Sequence, residues 1–204
     1  TMFVSGAGTT VADVALPFDT GIYGFNVESE TELRLRSELA SAKNRTAPVS
    51  LLINPDVDAK THAKISTGKS ENKFGLPWIH ALEVYDLAAS LPGIQVVCID
   101  AHIGSQITQL QPFDDAFARL GEMIGQLRAR GHSIEHIDLG GGLGIPYGGT
   151  SDVPPDPGAY AEIVHKHVRD LDCNVIFEPG RLISGNAVML VTAGGYVTHG
   201  AGTV

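Results

Sequence analysis

The sequence predicts an α/β fold in which buried parallel strands alternate with amphipathic helices. Short apolar runs of about 4–7 residues, a length typical of central parallel strands, recur along the chain. Longer stretches with helical period separate them, and glycine-rich or polar motifs follow several of the runs. Because strand–helix–strand units form right-handed crossovers, this order predicts a parallel sheet covered by helices, with ligands at the carboxyl ends of its strands.

Seven apolar runs are predicted to be strands, and four stretches are predicted to be helices. The strands are Met2–Ser5, Ile22–Val27, Val49–Ile53, Val96–His102, His136–Leu139, Asn174–Glu178 and Val188–Val197. Four signals define the helices: a capping box of Ser29 and Glu32 opening Thr31 to about Ala42, Pro77 as first residue of a helix to Ser90, an apolar stripe from Phe113 to Leu127 ended by Gly131, and the segment Pro157–Leu171.

Composition excludes several classes of protein. The 204 residues carry 14 Lys+Arg against 23 Asp+Glu, a net charge of −9, which argues against binding to duplex nucleic acid. No apolar run approaches the about 20 residues that span a bilayer, and we expect no signal peptide and no membrane partner. Two cysteines are too few for a disulfide scaffold and favour the cytoplasm. We expect a single domain over residues 1–204, cut from a longer chain because it opens inside a strand.

Three consecutive predicted strands end in motifs that could carry chemistry. His102 ends one strand, Gly140–Gly142 follow the next, and Glu178 precedes Pro-Gly-Arg181 after the third. The glycines form either a backbone nest for an anion or only a tight turn. Glu178 either pairs with a cation such as Arg181 or holds a cationic ring nitrogen. A histidine at a strand end is commonly structural, but three such motifs on one face favour a ligand site.

Other site chemistries lack their signatures. The G-x-G-x-x-G pattern fails at Gly140 and at Gly6, although the glycines at Gly6 follow a strand and leave a dinucleotide site as a minor alternative. There is no phosphate-binding G-x-x-x-x-G-K-[ST] loop and no G-x-S-x-G elbow. The eight histidines show no metal-ligand spacing, so we expect no metal.

The motifs along nearly the whole chain resemble the diaminopimelate decarboxylases, which use pyridoxal 5'-phosphate (PLP). The matching pieces are FVSGAG, FNVESE, VSLLINPDVDAKTH, ISTGKSENKFG, HIGSQI, DLGGGLGIPYGG and EPGR. The resemblance implies a (β/α)8 TIM-type barrel of the PLP-binding alanine racemase-like class, here incomplete and covering about barrel strands three to eight. It implies loss of CO2 from meso-diaminopimelate to give L-lysine, in a cytoplasmic homodimer.

The resemblance also implies cofactor-binding roles for individual residues. His102 would stack on the pyridine ring, Ser105 would lie near the phosphate or the reactive end, and Glu178 would keep the ring nitrogen protonated. Gly140, Gly141 and Gly142 would cradle the phosphate with their N–H groups, helped by Gly180 and Arg181. Arg181 would in addition bind a carboxylate of the substrate.

Several family features are missing or altered. The family's cofactor-bearing lysine lies on the first barrel strand, which precedes this region, so we expect no catalytic residue in this chain and no activity of it alone. We also expect this chain to lack the β domain that follows the barrel in the family. Leu52 stands where we expect arginine, and Thr9 where lysine is usual.

Alternatives within and outside this fold stay open. One is another basic amino-acid decarboxylase, or a carboxynorspermidine-type relative, of the same fold. Another is a non-catalytic relative that keeps the barrel for binding a partner, which the missing lysine and Leu52 favour. A nucleotide-dependent oxidoreductase rests on FVSGAG only.

Overall fold

Seven parallel strands form one sheet, and helices cover its outer face. The structure, a computed structural model, describes residues 3–5, 10–59, 75–147, 153–189 and 191–193. The strands are β1 (Phe3–Val4), β2 (Gly24–Val27), β3 (Ala47–Asn54), β4 (Leu76–Pro77), β5 (Ile94–Asp100), β6 (His136–Asp138) and β7 (Asn174–Ile176). The helices are α1 (Val11–Thr20), α2 (Glu30–Ala42), α3 (Ala81–Ser90), α4 (Gln111–Ala129), α5 (Pro157–Val168) and α6 (Arg181–Ser184), with a 3₁₀ turn over Trp78–His80.

The strand order is β1-β2-β3-β5-β6-β7, and β4 pairs with the end of β3. Every pairing is parallel, and helices α1 to α5 each lie between two strands in sequence, as the alternation of elements predicts. The sheet curls: the Asn26 amide on β2 donates to Glu178 after β7 at 3.4 Å. The Tyr23 hydroxyl likewise bonds the His136 ring of β6. The strands therefore enclose a concave interior, as in part of a barrel.

The structure confirms the six predicted strands before residue 180, with shifted ends. Two helical boundaries are wrong. Pro77 belongs to β4 and precedes the 3₁₀ turn, so α3 begins only at Ala81, and α5 ends at Val168. The predicted strand Val188–Val197 is not formed in its described residues 188–189 and 191–193, and its other residues lie outside the described part.

Local signals explain the helix ends that were predicted correctly. Ser29 caps α2 by accepting from the Glu32 N–H at 3.2 Å, but the Glu32 carboxylate accepts from the Glu28 N–H at 2.9 Å, one residue earlier than a capping box requires. The chain leaves α4 at Gly131, whose φ of +91° favours glycine. On the outer face, Phe113 and Phe117 of α4 contact Tyr160 of α5, with ring centroids 5.0 and 6.0 Å apart.

The interior of the curled sheet is lined by rows of side chains in register. One row crosses five strands and is polar: Asn26, Ser50, Cys98, His136 and Asn174. The next row towards the carboxyl ends contains Leu52, Asp100, Asp138 and Ile176. A cavity of about 570 Å³ opens beside these rows between β1 and β7. The carboxyl ends of the strands lie above it.

Candidate functional site

The glycine loop, residues Gly140–Gly142, is packed between the ends of β5 and β7. A Cβ on Gly140 would lie 2.6 Å from the Ala101 carbonyl oxygen. A Cβ on Gly141 would clash with the Glu178 carbonyl oxygen, and one on Gly142 with that of Gly104. Gly140 and Gly142 also have φ of +63° and +99°. All three positions thus require glycine because neighbouring backbone approaches so closely.

Two of the three glycine N–H groups already have acceptors within the chain. The Gly140 N–H donates to Asp138 Oδ1 at 2.9 Å, and the Gly141 N–H to His102 Nδ1 at 3.4 Å. Within the described residues the Gly142 N–H has no acceptor, while its carbonyl accepts from the Ile107 N–H at 2.9 Å. The loop therefore offers one open backbone donor, and the expected phosphate cradle of three N–H groups stays a prediction.

Gln106 binds the segment that follows the glycine loop, a role that the sequence reasoning missed. Its Nε2 donates to the Ile145 carbonyl at 2.6 Å, and its Oε1 accepts from the Ile145 N–H at 3.2 Å. The side-chain amide therefore bonds both backbone groups of Ile145, as the backbone of an adjacent β-strand would. The left-handed φ of Gln106, +56°, turns the side chain towards that loop. The motif HIGSQI contained this glutamine, but its spacing alone does not reveal a partner 39 residues away.

His102, immediately after β5, presents a neutral ring to the site. The residue is half-buried, and burial lowers the pKa of its imidazole. Because Nδ1 accepts from the Gly141 N–H, the neutral ring carries its proton on Nε2. An uncharged, fixed ring of this kind is suited to packing against another flat ring.

Glu178 follows β7 and is joined to the glycine loop through its backbone. Its N–H donates to the Gly140 carbonyl at 2.8 Å, which places it next to His102 across that loop. The residue as a whole is exposed, but its carboxyl points into the interior, where Asn26 Nδ2 lies 3.4 Å from Oε1. This burial of the carboxyl and the charge of Asp138 raise the pKa of Glu178 to about 7.

Three further predicted site residues lie around this centre. Ser105 is half-buried beside Gly104, which contacts the glycine loop. Gly180 has open space where a Cβ would be. Arg181 begins α6 with its guanidinium carbon 5.9 Å from the Tyr147 ring centroid. It forms no ion pair with Glu178 or with any other carboxylate of the described residues, so the structural alternative of a Glu178–Arg181 pair is not formed.

The arrangement fits a flat, anionic cofactor with a basic ring nitrogen. A carboxyl with a raised pKa gains a favourable partner when a cationic ring nitrogen lies beside it. The open Gly142 N–H and the Arg181 guanidinium are donors that a phosphate could use, and the missing side chain at Gly180 leaves room for it. These features match PLP in shape and charge.

Other predicted features of the sequence lie outside the described residues. They are the Gly6 cluster, Thr9 and four of the six lysines, Lys60, Lys64, Lys69 and Lys73. In the part of the chain that is described, no group of three His, Cys, Asp or Glu could hold a metal ion, and no helix is long and apolar enough to cross a membrane.

A curled parallel sheet with a polar site at its strand ends is the architecture of an α/β-barrel protein. The family model "Pyridoxal-dependent decarboxylase, pyridoxal binding domain" matches residues 3–185. The chain belongs to this pyridoxal-dependent decarboxylase family, and its fold and cofactor class are therefore those expected from the sequence.

Individual relatives agree with this assignment. Diaminopimelate decarboxylases of Vibrio cholerae and Pseudomonas aeruginosa are 48% and 45% identical over 196 and 195 residues, 96% of this chain and 46% of each relative. A crystal structure of diaminopimelate decarboxylase from Helicobacter pylori complexed with L-lysine superposes with a TM-score of 0.82 at 34% identity, covering 88% of this chain and 45% of that one. The chain spans about half the length of the curated relatives it matches.

Proposed function

We propose that the protein carrying this chain decarboxylates meso-diaminopimelate to L-lysine and CO2 with PLP, and that this chain supplies the strand-end part of the cofactor site. The observation that carries the proposal is the joining of His102, the glycine loop and Glu178 by hydrogen bonds at three adjacent strand ends. The 48% identity to a diaminopimelate decarboxylase supports the same reaction. PLP, when bound, supplies an electron sink for the electrons released as CO2 leaves.

Glu178 would hold the proton on the cofactor's ring nitrogen. Its carboxyl loses solvation inside the sheet and is repelled by Asp138, so a cation beside it would favour its ionised form near neutral pH. Asn26 orients the carboxyl by donating to Oε1. The carboxylate then stabilises positive charge at the ring nitrogen throughout the reaction.

His102 and the donors around the glycine loop would orient the cofactor. The neutral His102 ring packs on a flat face, held in place by the Gly141 N–H. The Gly142 N–H and Gly180 would bind the phosphate, with Ser105 near it. Arg181, which has no ion pair within the described residues, is available for the phosphate or for a substrate carboxylate.

The decisive experiment measures CO2 release by the purified full-length protein with PLP. We expect release from meso-diaminopimelate and none from L-ornithine, L-arginine or L-lysine, and release from one of those three instead would favour the other basic amino-acid decarboxylases. Glu178→Gln should lower kcat by about 100-fold, since it removes the charge opposite the ring nitrogen. Glu122→Gln, on the exposed side of α4, is the matched control and should leave kcat unchanged. PLP binding without release from any of the four would indicate a non-catalytic relative.

We further propose that the chain forms one barrel domain over residues 1–204, and that the whole protein is a cytoplasmic homodimer. The single curled sheet supports one domain, and two free cysteines are consistent with a reducing compartment. Sedimentation of the purified protein tests the dimer, and cell fractionation tests the compartment. A monomer, or a membrane-bound fraction, would contradict the respective proposal.

A further inference from the structure

Asp100 and Asp138 are neighbours inside the curled sheet. They are paired in register on β5 and β6, so their side chains leave the same face of adjacent strands, which lie about 4.8 Å apart. Both residues are almost fully buried, with 2% and 1% exposure. The neighbours that flank them in the same row are Leu52 and Ile176, which are apolar.

The two carboxyl groups have few polar partners. Asp138 Oδ1 accepts from the Gly140 N–H at 2.9 Å. Asp138 Oδ2 and Asp100 Oδ1 are buried and have no hydrogen-bond partner within the described part of the chain. Neither carboxylate forms an ion pair with a cationic side chain among the described residues. A buried carboxylate without donors or cations is strongly disfavoured in its charged form.

Most titratable groups around this pair are acids, and none of them is a lysine or an arginine. They come from the strands and from the two helices outside them: Glu28, Cys98, His102, His136, Glu178, Tyr85 and Tyr160. The acidic members repel a second negative charge. Burial lowers the pKa of His102, which disfavours its charged form. Burial raises the pKa of both Asp100 and Asp138, and the charge of Asp138 raises the pKa of Asp100 further.

Two carboxylates buried side by side on adjacent strands cannot both be ionised without a large electrostatic cost. The backbone N–H at Asp138 favours the ionised form of that residue, whereas Asp100 receives no such donor. We propose that Asp100 and Asp138 hold one proton between them, that Asp100 carries it, and that Asp138 remains ionised as a positioning residue beneath the glycine loop and Glu178.

This pair would set the state of the cofactor partner. The Asp138 carboxylate anchors Gly140, whose carbonyl in turn accepts from the Glu178 N–H. Its charge also makes Glu178 retain a proton until a cation approaches. In this respect the inference rests on the proposed function, because the cation would be the ring nitrogen of PLP. The proton on Asp100 does not depend on PLP and can be measured without it.

The test counts protonated carboxyl groups by infrared spectroscopy in the PLP-free full-length protein between pH 5 and 9. We expect the wild type to retain one more protonated carboxyl at pH 7 than Asp100→Asn, which mimics the protonated acid and preserves packing. The exposed Asp115→Asn is the matched control and should retain the wild-type number. Equal numbers in wild type and Asp100→Asn would overturn the proposal.

A second variant tests the coupling. In Asp138→Asn the deprotonation midpoints of Asp100 and Glu178 should both fall by about one pH unit, because a neighbouring negative charge is removed. Unchanged midpoints would contradict the positioning role. If this variant does not fold, the Asp100→Asn comparison still decides the shared proton. Equilibrium dialysis with PLP, measured separately, distinguishes the two proposals. A wild type that does not bind PLP would refute the proposed function, but it would not change the number of protonated carboxyl groups counted in the PLP-free protein.

Discussion

The ends of β5 and β6 differ sharply from the end of β7, although all three contribute to the same site. Between β5 and β6, Gln106 pairs with Ile145, and Ile107 exchanges backbone hydrogen bonds with Gly142 and Gly144. By contrast, the end of β7 is followed by α6, which has only four residues. Along this edge Val175, Phe177 and Ile183 are 37%, 46% and 67% exposed.

This difference shows which part of the site the chain supports by itself. The glycine loop and His102 are held by hydrogen bonds from both sides. The backbone at Glu178 is held from the β6 side, through the bonds from Leu139 N–H to Ile176 and from its own N–H to Gly140, and its carboxyl accepts one long bond from Asn26. We therefore expect the β5–β6 loops to be sensitive to small changes and the β7 edge to tolerate them.

The largest expected effect is that of Gly141→Ala. Its Cβ would collide with the Glu178 carbonyl, so the ends of β6 and β7 must separate, which should destabilise the fold by about 3 kcal/mol and abolish PLP binding. Urea unfolding and equilibrium dialysis measure both effects. Gly125→Ala, in α4 with nothing within 4 Å, is the control and should stabilise slightly. Wild-type PLP affinity in Gly141→Ala would contradict the tight packing of the loop.

Asp100→Asn should change how stability depends on pH. In the wild type, the raised pKa of Asp100 means that the folded state keeps a proton that the unfolded state loses above about pH 4. This contribution to stability is complete below that pH and is lost as pH rises towards the folded pKa, by about 1.4 kcal/mol per unit. The asparagine variant should therefore gain stability relative to wild type from pH 5 to pH 7 in urea unfolding. A constant difference would show that Asp100 is ionised in the folded protein.

Gln106→Ala should have a smaller effect, confined to the loops that it joins. Loss of two hydrogen bonds to Ile145 should cost about 1–2 kcal/mol and weaken PLP binding about tenfold. Chemical denaturation and PLP titration check this. Gln109→Ala, exposed in the same loop, should behave as wild type. Equal stability and equal PLP affinity of the two variants would show that Gln106 does not support the site.

The smallest effect is expected at the β7 edge. Val175→Thr changes a side chain that is 37% exposed, and should alter the free energy of unfolding of this chain by less than about 0.5 kcal/mol. Ile137→Ala, at the fully buried position in register with it on β6, should cost about 2–5 kcal/mol. Similar losses at both positions would remove the contrast between the two regions.

Sequence patterns predicted the strands well because buried runs bounded by turns are local signals. They missed α1, where Pro17 lies inside the helix and argues against it, although Thr10 and Asp13 form a capping box at its start. The role predicted for Pro77 was wrong because a local helix signal was present where no helix begins. A proline suited to begin a helix instead ends a short strand that pairs with the end of β3.

The sequence predicted which residues lie at the site, but not the contacts that hold them there. Motifs located His102, the glycines and Glu178, because they stand at strand ends. Yet close approach of backbone from two neighbouring strands requires the glycines, and two of their N–H groups bind within the chain. Such long-range contacts, like the pairing of Gln106 with Ile145 or of Asp100 with Asp138, depend on strand register, which no local pattern encodes.

PLP affinity of the full-length protein, measured by equilibrium dialysis for wild type, Glu178→Gln and Glu122→Gln, tests the central claim most directly. If Glu178 faces the ring nitrogen from its place beside the glycine loop, Glu178→Gln should weaken binding by at least about tenfold, and Glu122→Gln should not change it. Equal affinities in all three proteins would show that the strand-end site described here does not hold the cofactor.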